Sequence, residues 1–532
     1  MRKKPDQSLK VGRGFVRRLF AGYGLNEFLL SAYLAFVISA ELIAQLASRL
    51  GDRRIVPAWL MLFLLLLAAA SCFAAPLLQK LSRYRLKRAE TVLSPKKMAA
   101  WTVGFFLAGV AAMGIWYLMY YPGWFSGDSE WQLRQALSGE YNDWHPVLQT
   151  IITFTLPLKL TGGWKGSVVL FQITEYALVL SYLCMTFLKY GNRRYAITSF
   201  ALIAFSPLTG AMVKQPWKDV TFTIFSLLLA AYALRVFYDA EWIRKPRNIA
   251  ALSSAFVIAT IVRHNAVLFT APLLLAVLLS MEGKKLRAVL LSICLLLFVL
   301  IKGPIYSFLQ VEKPGSRNVE LLGLPMTVIG SVVTEKPETL DADILAFAYS
   351  VASPECWEEN YSMGDFNSIK FADGCNTQPI NEAGALTVLS YMFRCMKSSP
   401  ACATEALLRL TGMVYVISGP IDWQPDIYPP FLYSMLENSV LRYLCLYIGI
   451  PSLICIVTTL GRCRLSIRND WKKLWFCLAL LLHNGGTMLL LTGHDFRFFY
   501  FTFPMTAVIV FLMQNEPAAP GADIGYTVSL QG

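Results

Sequence analysis

Apolar residues in this chain come in unbroken blocks, neither alternating residue by residue nor confined to one helical face. Most blocks reach the roughly 20 residues that a helix needs to cross a bilayer, so the pattern predicts about twelve spans. They fall at 25–47, 57–79, 98–121, 165–188, 195–213, 217–237, 248–263, 265–282, 285–307, 437–460, 473–492 and 496–513. The seventh and eighth are the shortest and are separated by little more than "HN". A segment in lipid must satisfy its backbone polar groups internally, which leaves helices or a closed barrel. A barrel would show alternating strands of about ten residues, and these blocks do not alternate. The expected fold class is therefore an all-α polytopic membrane protein.

Composition agrees with that pattern. Of 532 residues, 56% are hydrophobic and 15% charged, against about 25% charged in soluble proteins; mean hydropathy is +0.49. The formal charge of +14 does not indicate nucleic-acid binding, because the basic residues sit in short connections and form no face interleaved with aromatics. Instead they orient the chain. Arg2, Lys3, Lys4, Lys10, Arg13, Arg17 and Arg18 precede the first block; Lys80, Arg83, Arg85, Lys87, Arg88, Lys96 and Lys97 follow the second. "KYGNRR", "EWIRKPR", "EGKKLR" and "GRCRLSIRNDWKK" continue on alternate loops. Basic loops stay in the cytoplasm, so both termini are expected inside a bacterial cytoplasmic membrane. Only "SRLGDRR", between the first two blocks, falls on the other side. The first block is longer than a signal h-region and lacks a clear A-x-A site, so no cleavable signal is expected.

This register exports residues 122–164 and 308–436. The second segment has fifteen Asp and Glu against seven Lys and Arg, reversing the overall balance. Its apolar and turn-rich stretches suggest a small, mainly helical extracytoplasmic domain. Cys356, Cys375, Cys395 and Cys402 permit two disulfides in three pairings, or four free, buried thiols; the sequence leaves both open. The division expected is a transmembrane module over 1–307 with its first large outer loop at 122–164, the domain at 308–436, closing helices at 437–513, and a disordered tail over 514–532. No internal repeat is evident.

The same threading sorts the unusual polar residues onto one membrane edge. Asp128, Glu130, Asp143 and His145 lie in the first outer loop; Lys214, Lys218 and Asp219 in "MVKQPWKDV"; Arg263, His264 and Asn265 in "IVRHNAV"; His494, Asp495 and Arg497 in "TGHDFRFFY". Ionisable residues near hydrocarbon tend to face a cavity or each other. For any single Lys or Arg, snorkelling to the headgroups is an equal alternative, and Asp128 is also placed to act as a helix N-cap. Four clusters on one edge favour a common site. After "HP", the apolar stretch 147–160 is too short to span upright and is expected to lie along or dip into the interface. A carboxylate there can take a proton from an attacking hydroxyl, and Lys and Arg can hold a departing phosphate. Asp128 is the first choice for the base, with Glu130 in support. A divalent cation is an option rather than a requirement, since no H-E-x-x-H or cysteine-rich ligand spacing is present.

The loop "GDSEWQ" followed by "HP" resembles the membrane glycosyltransferases of the GT-C superfamily, which includes protein O-mannosyltransferases and lipid A aminoarabinose transferases. A closer likeness is to a poorly characterised family of bacterial polytopic proteins with "PG…D…Q…HP", "KD" and "R-x-N". Here these read Pro122, Gly123, Asp128, Gln132, His145, Pro146, Lys218, Asp219, Arg263 and Asn265. The likeness covers about residues 98–307 and, more loosely, "DFRFFY". The commoner superfamily pattern has two adjacent acids; here Ser129 separates Asp128 from Glu130. The resemblance implies a sugar donor on polyprenyl phosphate, an extracytoplasmic polymer, glycolipid or protein acceptor, and an inverting transfer. Catalytic roles fall to Asp128 and Glu130, and substrate contacts to Gln132, His145, Lys214, Lys218, Asp219, Arg263, His264, Asn265, His494, Asp495 and Arg497. The rival class is a lipid-sugar flippase or other transporter. Transporter sites usually lie near the bilayer midplane, whereas these residues gather at an edge. A non-catalytic scaffold displaying the 308–436 domain is the third reading.

Overall fold

The computed structural model describes residues 24–83, 86, 94–315, 318–415, 429–437, 448–463 and 470–515. Helices account for nearly all of its regular structure; among the described residues only isolated β-bridges occur, at Asn142–Glu312 and Ser362–Asp365. The helices used below are α1 (Leu25–Leu50), α2 (Asp52–Arg83), α3 (Pro95–Met119), α4 (Gly127–Ser138), α5 (Val147–Leu160), α6 (Gly166–Tyr190), α7 (Arg193–Ala204), α8 (Pro207–Val213), α9 (Lys218–Tyr238), α10 (Pro246–Ile261), α11 (Val267–Ser280) and α12 (Lys284–Phe308). The domain that follows contributes α13 (Gly323–Glu335), α14 (Ala342–Val351), α15 (Pro354–Asn360), α16 (Ala385–Ser398) and α17 (Pro400–Thr411). The chain closes with α18 (Gly449–Arg462), α19 (Trp471–Met488) and α20 (Phe496–Gln514).

Seven helices are long and apolar enough to cross a membrane, or eight if the α7–α8 pair, bent by 56°, is one span. The sequence pattern predicted about twelve spans. The count by length and composition leaves out α10, α11 and α18, which have 10–17 residues, about 15–25 Å at the α-helical rise. Each packs one face into the bundle, while Val267, Leu279 and Ile454 stay exposed. Part of the expected 437–460 span lies outside the described residues, as do the N-terminal basic cluster and the tail beyond 515. The tail was expected to begin at Gln514, but Gln514 closes α20 and Asn515 donates to the Tyr190 carbonyl at 2.8 Å.

One large apolar core joins α3, α6, α9, α11, α19 and α20. A separate core lies inside the domain over 318–415, around Trp357, Phe366, Ile329 and Met392. The α1–α2 turn touches this domain. Asp52 pairs with Lys336 and accepts from Ser399 Oγ at 3.2 Å and Ala401 N at 3.0 Å. The basic turn that broke the loop-charge pattern thus lies on the domain-bearing side. Helix α12 stands apart: within Lys284–Leu300 only Leu290 is buried. Between it and α10 and α11 runs an apolar cavity of about 300 Å³, lined by residues such as Phe256, Val267, Leu274, Leu291 and Phe298.

Candidate active site

The first outer loop begins where α3 stops. Gly123 turns the chain with φ +119° and lies so close to Val169 that a Cβ would overlap it. Ser126 then caps α4 in extended conformation, which puts Asp128 in the first helical turn and not at the cap. Ser126 Oγ makes no capping bond to a backbone amide; it meets Ser129 Oγ at 3.3 Å and accepts from Trp217 Nε1 at 2.8 Å. That bond ties α4 to the start of α9. Carboxylates are favoured in a first helical turn by the helix dipole, so Asp128 is held charged from its own element as well as from its neighbours.

Those neighbours come from three other elements. Arg497 Nη1 lies 3.3 Å from Asp128 Oδ2, and His145 Nε2 lies 3.9 Å from Oδ1. Arg497 also pairs through Nε with Asp495 Oδ2 at 2.6 Å, and its guanidinium sits 4.9 Å over the Trp217 ring and 5.0 Å from the Phe498 ring. The Asp128 side chain remains 42% exposed, whereas Arg497 is 18% exposed. Arg497 thus holds the carboxylate on its Oδ2 side, and His145 lies nearer Oδ1. Burial works to raise the Asp128 pKa, but the charges of Arg497 and Lys218 outweigh it and hold the carboxyl below its ordinary value. His145 goes the other way: burial, then the Lys218 charge, push its pKa down to about 3, so it is a neutral imidazole at physiological pH.

A second ion pair sits beneath the first. Arg263 Nη1 lies 3.0 Å from Asp219 Oδ1 and donates to the Phe498 carbonyl at 3.0 Å. Both side chains are almost wholly buried, and the guanidinium is flanked by the Phe222 and Phe498 rings at 5.5 Å. Breaking such a pair would leave a buried charge without its counterion, so Arg263 and Asp219 join α9, the α10–α11 turn and the start of α20 into one frame. Lys218, the first residue of α9, differs from the two arginines. It forms no ion pair within 4 Å among the described residues, though its charge acts on Asp128.

The expected site residues thus divide. Asp128, His145, Lys218, Asp219, Arg263, Asp495 and Arg497 come together. His264 is joined to them through the loop, its Nε2 3.2 Å from the Trp144 carbonyl oxygen. Glu130 turns away and pairs with Lys165 at 2.6 Å, both side chains well exposed. Gln132 points inward to support α5, donating to Gln149 Oε1 and, at 2.9 Å, to Thr150 Oγ1. Lys214 is fully buried with its ammonium 3.2 Å from the Tyr120 ring centroid and 5.0 Å from that of Trp124. Asn265 donates to Thr487 Oγ1 at 2.8 Å. His494 faces the 318–415 domain, beside Gly364. Sequence patterning missed Trp217 and Ser126, which orient Arg497 and α4, and Lys302, which pairs with Asp143 at 3.1 Å while Tyr306 donates to the same carboxylate at 3.2 Å. The tryptophan before "KD" was the one available signal.

Among the described residues no three His, Cys, Asp or Glu converge as a metal-binding group. Each of Asp128, Asp219 and Asp495 faces an arginine.

No protein-family model and no curated protein matches this chain. Among solved structures it is similar to ArnT from Cupriavidus metallidurans, in the apo state at 14% identity and TM-score 0.32 and bound to undecaprenyl phosphate at 12% identity and TM-score 0.31. Each likeness covers 78% of this chain and 77% of the other. At those scores the chemistry of this chain rests on its own residues.

Proposed function

We propose that this chain is an integral membrane glycosyltransferase of the GT-C type, moving a sugar from a polyprenyl-phosphate donor to an acceptor outside the cytoplasm. The observation that carries the reading is the pairing of opposites at one point. A partly exposed carboxylate is held through one oxygen by Arg497, and the Lys218 ammonium, in no ion pair among the described residues, acts on it from the start of a 21-residue helix. A helix N-terminus with a lysine on its first turn suits a phosphate. The arginines do not, since both are already engaged by carboxylates.

In this reading the acceptor hydroxyl oxygen attacks the anomeric carbon, Asp128 takes the hydroxyl proton, and the bond from that carbon to the phosphate oxygen breaks. The electron pair leaves with the polyprenyl phosphate, whose charge Lys218 and the α9 amides meet. One displacement inverts the anomeric centre and needs a single base, which is consistent with Glu130 being spent on Lys165. The α10–α11–α12 cavity begins beside Thr260 and Val267, on either side of the Arg263–Asn265 turn, and its apolar walls suit the first isoprenyl units of the donor tail. Neutral His145, Trp217 and the Arg263–Asp219 frame shape the cleft. An Asp128 carboxylate held below its ordinary pKa is a weak base, and proton transfer late in the displacement, as the sugar carbon becomes electron-poor, suits such a group.

The test is reconstitution of the full chain in liposomes with a labelled polyprenyl-phosphate sugar and envelope extract. Label appearing in polymer, glycolipid or protein, with release of polyprenyl phosphate, supports the reading. Movement of intact lipid-sugar between leaflets without transfer would contradict it and favour a flippase.

A further inference from the structure

The 318–415 domain also meets the membrane module at the segment that leads into Asp495 and Arg497. A short loop after α15 makes this contact. Its start is fixed by the Tyr361 hydroxyl, which donates to the Thr327 carbonyl at 2.6 Å, and the loop closes on itself where Asp365 N donates to the Ser362 carbonyl at 2.9 Å. The Asn367 amide is shared between Asp365 Oδ1 at 2.9 Å and the Thr492 carbonyl at 3.1 Å.

Around that bond the two backbones approach too closely for side chains. A Cβ on Gly493 would overlap the Asp365 carboxylate and the Asn367 side-chain amide. On the domain side, a Cβ on Gly323 would overlap Thr492 and the Leu491 carbonyl. Gly364, at φ +86°, would place a Cβ 2.6 Å from Arg409 Cβ and 3.0 Å from His494 Nε2. Three glycines thus form a seam that holds residues 491–494 from above. Two residues beyond Gly493, Asp495 Oδ1 accepts from the Arg497 amide at 3.1 Å while Oδ2 pairs with its guanidinium. Arg497 then reaches Asp128.

We propose that the domain is a clamp for the reacting centre, with Asp365 and Asn367 as positioning residues that fix the angle at which Arg497 meets Asp128. The inference rests on the transferase reading and assigns the domain a part in that same site. Neither residue touches Asp128; they act through Gly493, Asp495 and Arg497. The consequence is legible in pH. Asp128 is faced by Arg497 from the start of α20, Lys218 from α9, His145 from the outer loop, and Asp495 across Arg497. If Arg497 swings away, the strongest charge holding the carboxyl down is lost while burial still raises it, so the acid limb of the rate profile moves to higher pH.

The experiment compares Gly493→Ala, Asp365→Ala and the double variant with wild type, using the full chain in liposomes and labelled polyprenyl-phosphate sugar. Misplacement of a catalytic group by about 1 Å costs on the order of 100-fold, so Gly493→Ala is expected to lower kcat by roughly 10- to 100-fold and raise the acid limb, with the donor KM little changed. Removing the Asp365 carboxylate relieves the closest overlap with the new methyl, so the double variant is expected to match Asp365→Ala in rate and acid limb. An acid limb that stays put in all three variants, or losses that simply multiply in the double variant, would overturn the clamp. If Gly493→Ala does not fold, Asp365→Ala alone decides: an acid limb identical to wild type contradicts the proposal. Failure of wild type itself to transfer label counts against the transferase reading instead.

Discussion

Asp128 and Glu130 are two residues apart on one helix, yet their surroundings assign them different work. Asp128 faces Arg497 and the Lys218 charge, while Glu130 is held by an exposed lysine. Exposed pairs contribute about 0–1 kcal/mol, so Glu130→Gln should keep transfer near the wild-type rate and leave the thermal melt nearly unmoved. His145 yields a pH prediction. Its folded pKa of about 3 lies below the ordinary 6.5, so the unfolded chain binds its proton first and stability is lost as pH falls from 6.5 toward 3. Melting temperature should drop across that window, and His145→Gln should flatten the drop. A slope unchanged in the variant would show that other groups govern it. At this scale the sequence was informative where topology compresses charge. "GHDFR" and "RHN" leave little chain to lead Arg497 and Arg263 away from the edge. It was uninformative where a side chain's partner is distant: nothing near Lys214 in sequence shows that Tyr120 and Trp124 enclose it.

Among the elements, α5 depends on contacts the chain pattern only hinted at. Its length excluded an upright span, and the structure folds it against α4 and α9, with a π-helical turn over Ile151–Thr155 and a Thr153–Thr221 hydroxyl bond of 2.8 Å. Gln132→Ala would leave Gln149 Oε1 buried without its donor, at a cost of about 1–3 kcal/mol, and should lower both melting temperature and transfer. Helix α8 packs against α3 so closely that a Cβ on Gly210 would overlap the Trp116 indole. Gly210→Ala should therefore destabilise by about 1–3 kcal/mol through overpacking, read as an earlier melt in detergent. Hydropathy alone does not set the span count at this scale, because it does not distinguish a short helix surrounded by protein from one surrounded by lipid.

For the whole molecule, the membrane module supplies the acid, the lysine and the apolar cavity, and the 318–415 domain is seated on it at the 491–494 seam, at the α1–α2 turn and where α17 packs on α1 and α2. Asp52 serves the second by capping α17 and pairing with Lys336. Its loss to Ala should cost about 1 kcal/mol for the cap and appear as faster proteolysis of the domain. An all-helical fold with long apolar helices was legible in the sequence, because hydropathy and loop charge are local properties. The domain's contact with the site was not, because Gly323, Gly364 and Gly493 are far apart in the chain and acquire meaning only when packed. The central claim, that Asp128 is the base of a transfer from polyprenyl-phosphate sugar, is tested most directly by single-turnover transfer at saturating donor. Asp128→Asn should bind the donor yet transfer label about 10²- to 10⁴-fold more slowly; transfer at the wild-type rate would contradict the account.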